Sequence, residues 1–247
     1  SLYRMRSIRY AEGMCMYRKG IVSLVLVLAV SASASAGVQA LKIYDTGNVL
    51  VGSNFNDGPG SSDMTLIMRL QSSAGIYVDE GDPVTYDVDS DPAPGWTQVH
   101  YDDSGWETGN SGVGFADGDD NVDVGPGKLR IITRYTFDIP GAGSLTNLEL
   151  LADYDDQYAA WLNGVLVAVS AGVADLVSPG VEPPWELTAG DAPNHGSTEM
   201  AAGSPNEARW GQGAIETTNI SFEYGGVVAV EARGKLATAW ATMKARQ

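Results

Sequence analysis

One cysteine in 247 residues, Cys15, is the first scarcity. It precedes the apolar run Ile21–Val30, so the chain after that run has no thiol. Disulfides, a thiolate zinc site and a cysteine nucleophile are therefore excluded there, and so is a lipid anchor on a cysteine following the run. Histidine is almost as scarce, with only His100 and His195. Neither an H-E-x-x-H helix nor a G-x-S-x-G elbow is present. Asp155 and Asp156 are adjacent at a strand entry, where neighbours point to opposite faces. They do not make the facing pair that glycoside hydrolysis needs. No enzyme is expected.

Positive charge is the next shortage, with 15 Lys and Arg against 31 Asp and Glu. Residues 1–36 hold five of the basic and one of the acidic residues, leaving 10 against 30 and a net charge of −20 beyond them. A nucleic acid would be repelled. Carboxylates at this density suit a solvated surface or binding of Ca²⁺. The longest apolar run, Ile21–Val30, is well short of the roughly 20 residues that span a bilayer. With Arg18 and Lys19 before it and the small residues Ser31–Ala36 after it, it reads as a secretory signal. Met14 or Met16 is the expected start, with cleavage after Ala36 or Ala40 and no membrane insertion afterwards. The expected organisation is an upstream and signal segment, 1–40, and a single β domain, 41–247.

What is present is strand signal. Asn163-Gly164 lies between two apolar runs in the stretch from Asp153 to Val169, and Asn-Gly is the strongest short hairpin signal. Folding there pairs Leu162 with Val165, Trp161 with Leu166, Ala160 with Val167 and Tyr158 with Val169. Both faces of this hairpin are apolar, which predicts a sheet covered on both sides or lying beside an interface. Ile131–Ile139 alternates, as does Asn147–Ala152. Strands are also expected at Lys42–Tyr44, Val49–Val51, Ile76–Val78, Val84–Val88, Ile220–Tyr224, Val227–Arg233 and Leu236–Met243. Met64–Leu70 suits a strand or a short helix. Residues 170–213 form a long Gly/Pro/Ala-rich connection, expected on the functional face. Strands at this spacing predict an all-β sandwich.

A set of motifs then falls in a particular order. WTQVHYDDSGW spans Trp96–Trp106, and Gly112-Val113-Gly114-Phe115 follows it. Arg134-Tyr135-Thr136-Phe137, Asp155-Asp156, Trp161-Leu162-Asn163-Gly164 and Val228-Ala229-Val230-Glu231 complete the order. Over about 84–243 this resembles the galactose-binding-domain-like jelly roll, an accessory module of secreted bacterial proteins and of β-galactosidase-type enzymes. The resemblance implies a jelly-roll β-sandwich. Members of that family run from sugar binders to purely structural modules. Two departures stand out: a longer 170–213 connection, and a basic tail (Lys244, Arg246) after the last strand.

Two sets of candidate site residues follow. Asp117, Asp119, Asn121 and Asp123 alternate in one loop, as hard oxygen ligands for Ca²⁺ can. Val122 and Lys128 replace the Gly and Glu of an EF-hand, so it is not one. Asp87, Asp89 and Asp91 repeat the spacing more weakly. Aromatic planes stack on the C–H face of a sugar ring while polar neighbours take its hydroxyls. Trp96, Trp106 and Trp161 read as core. Trp185 and Trp210, with Asn194, His195 and Arg209, are the candidate ligand-binding residues. The expected function is a secreted, non-catalytic module that binds an extracellular glycan or cell-surface polymer. The alternative is a structural or adhesive surface module, and a divergent hydrolase is the remote one.

Overall fold

The computed structural model describes residues 39–56, 63–116, 120–184, 187, 210 and 215–226. The signal segment, Val227–Arg233 and Leu236–Met243 lie outside the described residues. Fourteen strands and one short 3₁₀ turn make up the described elements. In chain order the strands are β1 (Lys42–Tyr44), β2 (Asn48–Phe55), β3 (Met64–Ser72), β4 (Gly75–Val78), β5 (Pro83–Val88), β6 (Glu107–Asn110) and β7 (Val113–Phe115). Then come β8 (Val122–Asp123), β9 (Arg130–Phe137), β10 (Glu149–Asp155), β11 (Gln157–Leu162), β12 (Val165–Val169), β13 (Glu216–Asn219) and β14 (Glu223–Gly226). The fold is all-β, as the alternation predicts, and Met64–Leu70 is a strand.

Two six-stranded sheets carry the architecture. One has the order β12-β11-β2-β9-β5-β6, antiparallel at every pairing. The other has the order β13-β10-β3-β7-β8, with β4 also on β3. Its one parallel pairing is β7 with β8. β1 and β14 form a small parallel ribbon. Alternation decides which side chains meet between the sheets. Leu50, Ile131, Tyr135, Tyr158, Ala160 and Leu162 from the first sheet meet Met64, Leu66, Met68, Leu70, Leu150, Ala152 and Tyr154 from the second. The sheets approach closely at Gly52, where an added Cβ would lie 2.4 Å from the Met68 Cε. The Asn54 amide crosses between them, donating to the Thr65 carbonyl (2.7 Å) and to the Asp155 carbonyl.

A second apolar cluster lies on the other face of the first sheet. Val49, Val51, Phe55, Ile132, Ala159 and Trp161 are covered there by Trp96 and by Val173, Val177 and Leu187. The β11 arm of the hairpin is thus buried on both faces, as its sequence predicts, while β12 is mostly half-buried. Its register departs from simple alternation beyond Leu166. Leu162 pairs with Val165 and Trp161 with Leu166, but Ala160 pairs with Ala168 and Ala159 with Val169. A β-bulge therefore sits at Val167, where the expected Ala160–Val167 and Tyr158–Val169 pairs are replaced. Ala168 turns into the inter-sheet core and Val169 against the outer cluster. The bulge brings Ser170 to Gln157 and Tyr158. Its hydroxyl donates to Gln157 Oε1 (2.7 Å) and accepts from the Tyr158 N–H (3.0 Å). The C-terminal strand prediction also shifts: Ile220–Phe222 joins β13 to β14 and is not strand.

Candidate functional site

The site is built on the hairpin turn. Asn163 and Gly164 have φ of 50° and 81°, the left-handed pair that a tight two-residue turn requires. The Asn163 amide ties the turn to the start of the first sheet. Its Oδ1 accepts from the Val49 N–H (2.8 Å), and its Nδ2 donates to the Lys42 carbonyl (2.8 Å) and to Asn48 Oδ1 (3.0 Å).

Two buried arginines on β9 hold the covering loops against the sheet. Arg134 donates to the carbonyls of Trp96 (3.2 Å), Gln98 (2.9 Å) and Val99 (3.0 Å). Its Nε pairs with Asp103 Oδ2 at 3.2 Å, and that oxygen also accepts from the Thr85 hydroxyl (2.7 Å). Arg130 donates from Nε to Ser53 Oγ (2.8 Å) and from Nη1 to the Pro184 carbonyl (3.3 Å). Its guanidinium lies 5.0 Å from the Phe55 ring centre and 5.2 Å from that of Trp96. Burial pushes Arg130 down to about 10, against the pull of Asp91, Glu182 and Asp87. It therefore remains a cation at neutral pH. The WTQVHYDDSGW stretch is thus a lid on the sheet, pinned through its backbone. Trp96 and Trp161 meet edge to face at 5.0 Å and are buried, as core tryptophans should be.

The edge of this lid makes a cleft of about 240 Å³, lined by Gly95, Thr97, Gln98, Trp161, Gly164 and the 180–182 turn. Glu182 closes it. Its carboxylate accepts from the Gly95 N–H (2.8 Å), the Thr97 N–H (3.1 Å) and the Thr97 hydroxyl (3.0 Å). The Gln98 side chain lies across the turn, its Oε1 2.5 Å from where a Gly164 Cβ would stand. The end of the Gln98 side chain could move aside, so it is the positive φ at 164 that favours glycine. The Glu182 carboxylate and the Gln98 amide thus stand at one opening, above the buried Thr97 and Trp161. The arrangement suits recognition of a polar molecule.

The residues expected to bind ligand fare differently. Trp185, Asn194, His195 and Arg209 lie outside the described residues. Trp210 is half-buried, with the Arg69 guanidinium 4.9 Å from its ring centre. Arg69 itself bridges to Asp79 at 2.8 and 2.6 Å. The Trp210 indole N–H is buried with no hydrogen-bond partner among the described residues.

Of the expected Ca²⁺ ligands, Asp117 and Asp119 also lie outside. Asn121 donates from Nδ2 to the Ser111 carbonyl (2.6 Å), and Asp123 Oδ1 accepts from the Gly125 N–H (2.8 Å). The loop ends meet through the parallel β7–β8 pairing, with the Asn121 and Val122 N–H groups both donating to the Gly112 carbonyl. In the 87–91 stretch, Asp89 Oδ1 accepts from the N–H groups of Leu129 and Arg130. Among the described residues, no group of three acidic, histidine or cysteine side chains stands close enough to hold a metal.

Sequence reasoning missed Gln98 and Glu182. Gln98 sits inside the WTQVHYDDSGW motif, where a single polar residue beside a tryptophan carries no ligand signal of its own. Glu182 carries no sequence signal, because only the fold brings it 85 and 87 positions back to Thr97 and Gly95. No helix among the described residues is long and apolar enough to cross a membrane. Comparison of the chain with protein-family profiles, with curated proteins and with solved structures finds no match.

Proposed function

We propose that this chain is a secreted, non-catalytic binding module of the galactose-binding-like jelly-roll type, and that it binds an extracellular glycan. The observation that carries the reading is the small polar cleft beside the Asn163-Gly164 turn. A sugar ring needs hydrogen-bond partners around its rim and an apolar surface on its face. Gln98 and Glu182 at its rim supply the first, and the exposed side chain of Val181 supplies the second. The motif order supports the jelly-roll assignment. Its DDS-x-W loop is tied through Asp103 to Arg134 at the start of its aromatic strand, and the LNG turn lies against Gln98 in the same motif. A structural Ca²⁺ held by Asp117, Asp119, Asn121 and Asp123 belongs to the same proposal.

The test is a glycan array with the purified domain, followed by calorimetry on the hits. Binding that weakens in Gln98→Ala supports the reading. A folded protein that binds no glycan overturns it in favour of a structural or adhesive surface module.

A further inference from the structure

We infer that Glu182 selects the sugar by charge: the cleft beside the Asn163-Gly164 turn takes a glycan bearing a protonated amine and turns away one bearing a carboxylate. This rests on the glycan reading and names the class of sugar that reading leaves open.

A relay of hydrogen bonds fixes the polarity of the rim. A carboxylate only accepts, and that of Glu182 takes the Gly95 N–H (2.8 Å), the Thr97 N–H (3.1 Å) and the Thr97 hydroxyl (3.0 Å). The Thr97 hydroxyl has one proton, and it goes to Glu182. Its oxygen then accepts from Gln98 Nε2 at 3.2 Å. The Gln98 amide is oriented by that bond, with Nε2 toward Thr97 and Oε1 toward Gly164. Both side chains at the opening therefore offer oxygen lone pairs. A carboxylate has about four acceptor positions, so the lid's donors do not exhaust Glu182 where it lines the cleft. A ligand that fits must bring donors. A hydroxyl brings a single proton. An ammonium brings more of them and a positive charge, and its bond to a carboxylate is roughly twice as strong as a neutral one.

Charge around the cleft points the same way. The buried Arg130 guanidinium feels Glu182 together with Asp87 and Asp91, so one cation is already set against three acids. Arg134 is engaged in turn by Asp103 at 3.2 Å. Beyond residue 36 the chain has 10 Lys and Arg against 30 Asp and Glu. A field of that sign draws a cation toward the opening and repels an anion. A sugar carboxylate would also stand against the Glu182 carboxylate, and like charges brought together at a binding surface are strongly disfavoured. Glu182 is held by the lid before any ligand arrives, so little ordering remains to be done on binding.

The test is calorimetry on the full chain, at a pH where a sugar amine is protonated. The probes are the methyl glycosides of glucosamine, glucose and glucuronic acid, with their galacto counterparts. In the better-bound series the amine should bind about tenfold more tightly than the neutral sugar, and the uronate about tenfold more weakly. Added salt should narrow that spread and leave the neutral sugar where it was. Glu182→Gln should cut the amine's advantage to about twofold. Glu223→Gln, which takes the same charge from β14, should leave it intact. Preference is read as a ratio within each protein. A Glu182 that merely holds the lid would weaken every probe alike and keep the ratio. Equal binding of amine and neutral sugar, or an advantage that survives Glu182→Gln, overturns the inference and leaves the glycan reading standing. Failure of every probe, here and on the array, overturns the glycan reading and this inference with it. If Glu182→Gln does not fold, the parent's ranking and its salt dependence decide alone.

Discussion

The two faces of the β12-β11-β2-β9-β5-β6 sheet are buried by different means. The inner face meets another sheet. Its side chains alternate with the backbone, and most are aliphatic or aromatic. The outer face meets loops, and two arginines of β9 fix those loops through backbone carbonyls. Strand alternation alone can build the first kind of burial. The second needs cations among apolar groups, which is costly unless the donors are satisfied. The difference separates jobs: the inner face supplies the fold, and the outer cover supplies the edge on which the cleft is formed.

Arg134→Ala should break the outer face and spare the inner one. Three carbonyls lose their donor, and Asp103 keeps its charge beside a cavity. The expected loss is about 2–4 kcal/mol, below the full range for a buried pair because Asp103 is partly exposed and keeps its bond from Thr85. Denaturant unfolding measures it, and Trp96 fluorescence should shift toward the red. An unchanged midpoint would mean that the lid is held by apolar contact alone.

High pH should break the inner face. Tyr135 is enclosed there, its hydroxyl 2.9 Å from Ser111 Oγ, and burial pushes it up to about 12. Burial also raises Tyr154 and Tyr158, which share Glu216 as an acceptor. A phenol with a raised folded pKa binds its proton more tightly when folded. Its contribution is complete below the unfolded value near 10 and is lost as pH climbs from there. For Tyr135 that loss is roughly 2–3 kcal/mol by pH 12. Stability measured from pH 9 to 12 should fall, and less steeply in Tyr135→Phe. Parallel slopes in the two proteins would remove Tyr135 from the account.

This contrast also explains what the sequence could tell. The inner face was legible because Ile131, Thr133, Tyr135 and Phe137 fall at every second residue, and because Asn163-Gly164 announces its turn. The bulge at Val167 was not legible, since it depends on Ser170 finding Gln157 and Tyr158 across the pair. The outer cover was half legible. Trp96 and Trp161 read correctly as core, Trp106 is half-buried against the outer cluster, and nothing in the sequence shows that Arg130 and Arg134 would hold loops. The cleft was illegible, because Glu182 reaches it through chain that has no periodicity. Trp210, the expected ligand contact, instead carries the Arg69 guanidinium over its ring.

Gly164→Val acts where both faces end. It forces a β-branched residue to φ near 81° and drives its side chain into Gln98. The expected cost is about 1–3 kcal/mol, read as a lower melting temperature. Calcium tests the other sheet's edge, at the loop closed by β7 and β8. With a dissociation constant of about 1 mM, typical of extracellular sites, 10 mM Ca²⁺ would stabilise by about 1.4 kcal/mol. Melting in calcium, in chelator and in magnesium at matched ionic strength measures it. Asp119→Ala should abolish the difference, and an equal effect of magnesium would reduce the loop to an acidic turn.

The smallest expected change in stability comes from Gln98→Ala, and it bears most directly on function. Gln98 is exposed at the rim of the outer cover. Its amide donates within the protein to Thr97 Oγ1 at 3.2 Å. Its backbone carbonyl, which Arg134 holds, survives the substitution. Removing an exposed side chain of this kind moves stability by no more than about 0.5 kcal/mol. The same side chain overhangs the cleft beside Gly164, so a bound sugar hydroxyl would lose its partner there. One lost hydrogen bond is worth about 0.5–1.5 kcal/mol, or roughly two- to twelvefold in affinity. Arg134→Ala, by contrast, should lower stability and binding together, because the lid that carries Gln98 is no longer fixed. A Gln98→Ala protein that melts like the parent and binds glycan several-fold more weakly would place the site at the cleft. If it binds glycan as well as the parent does, the binding surface lies elsewhere on the domain.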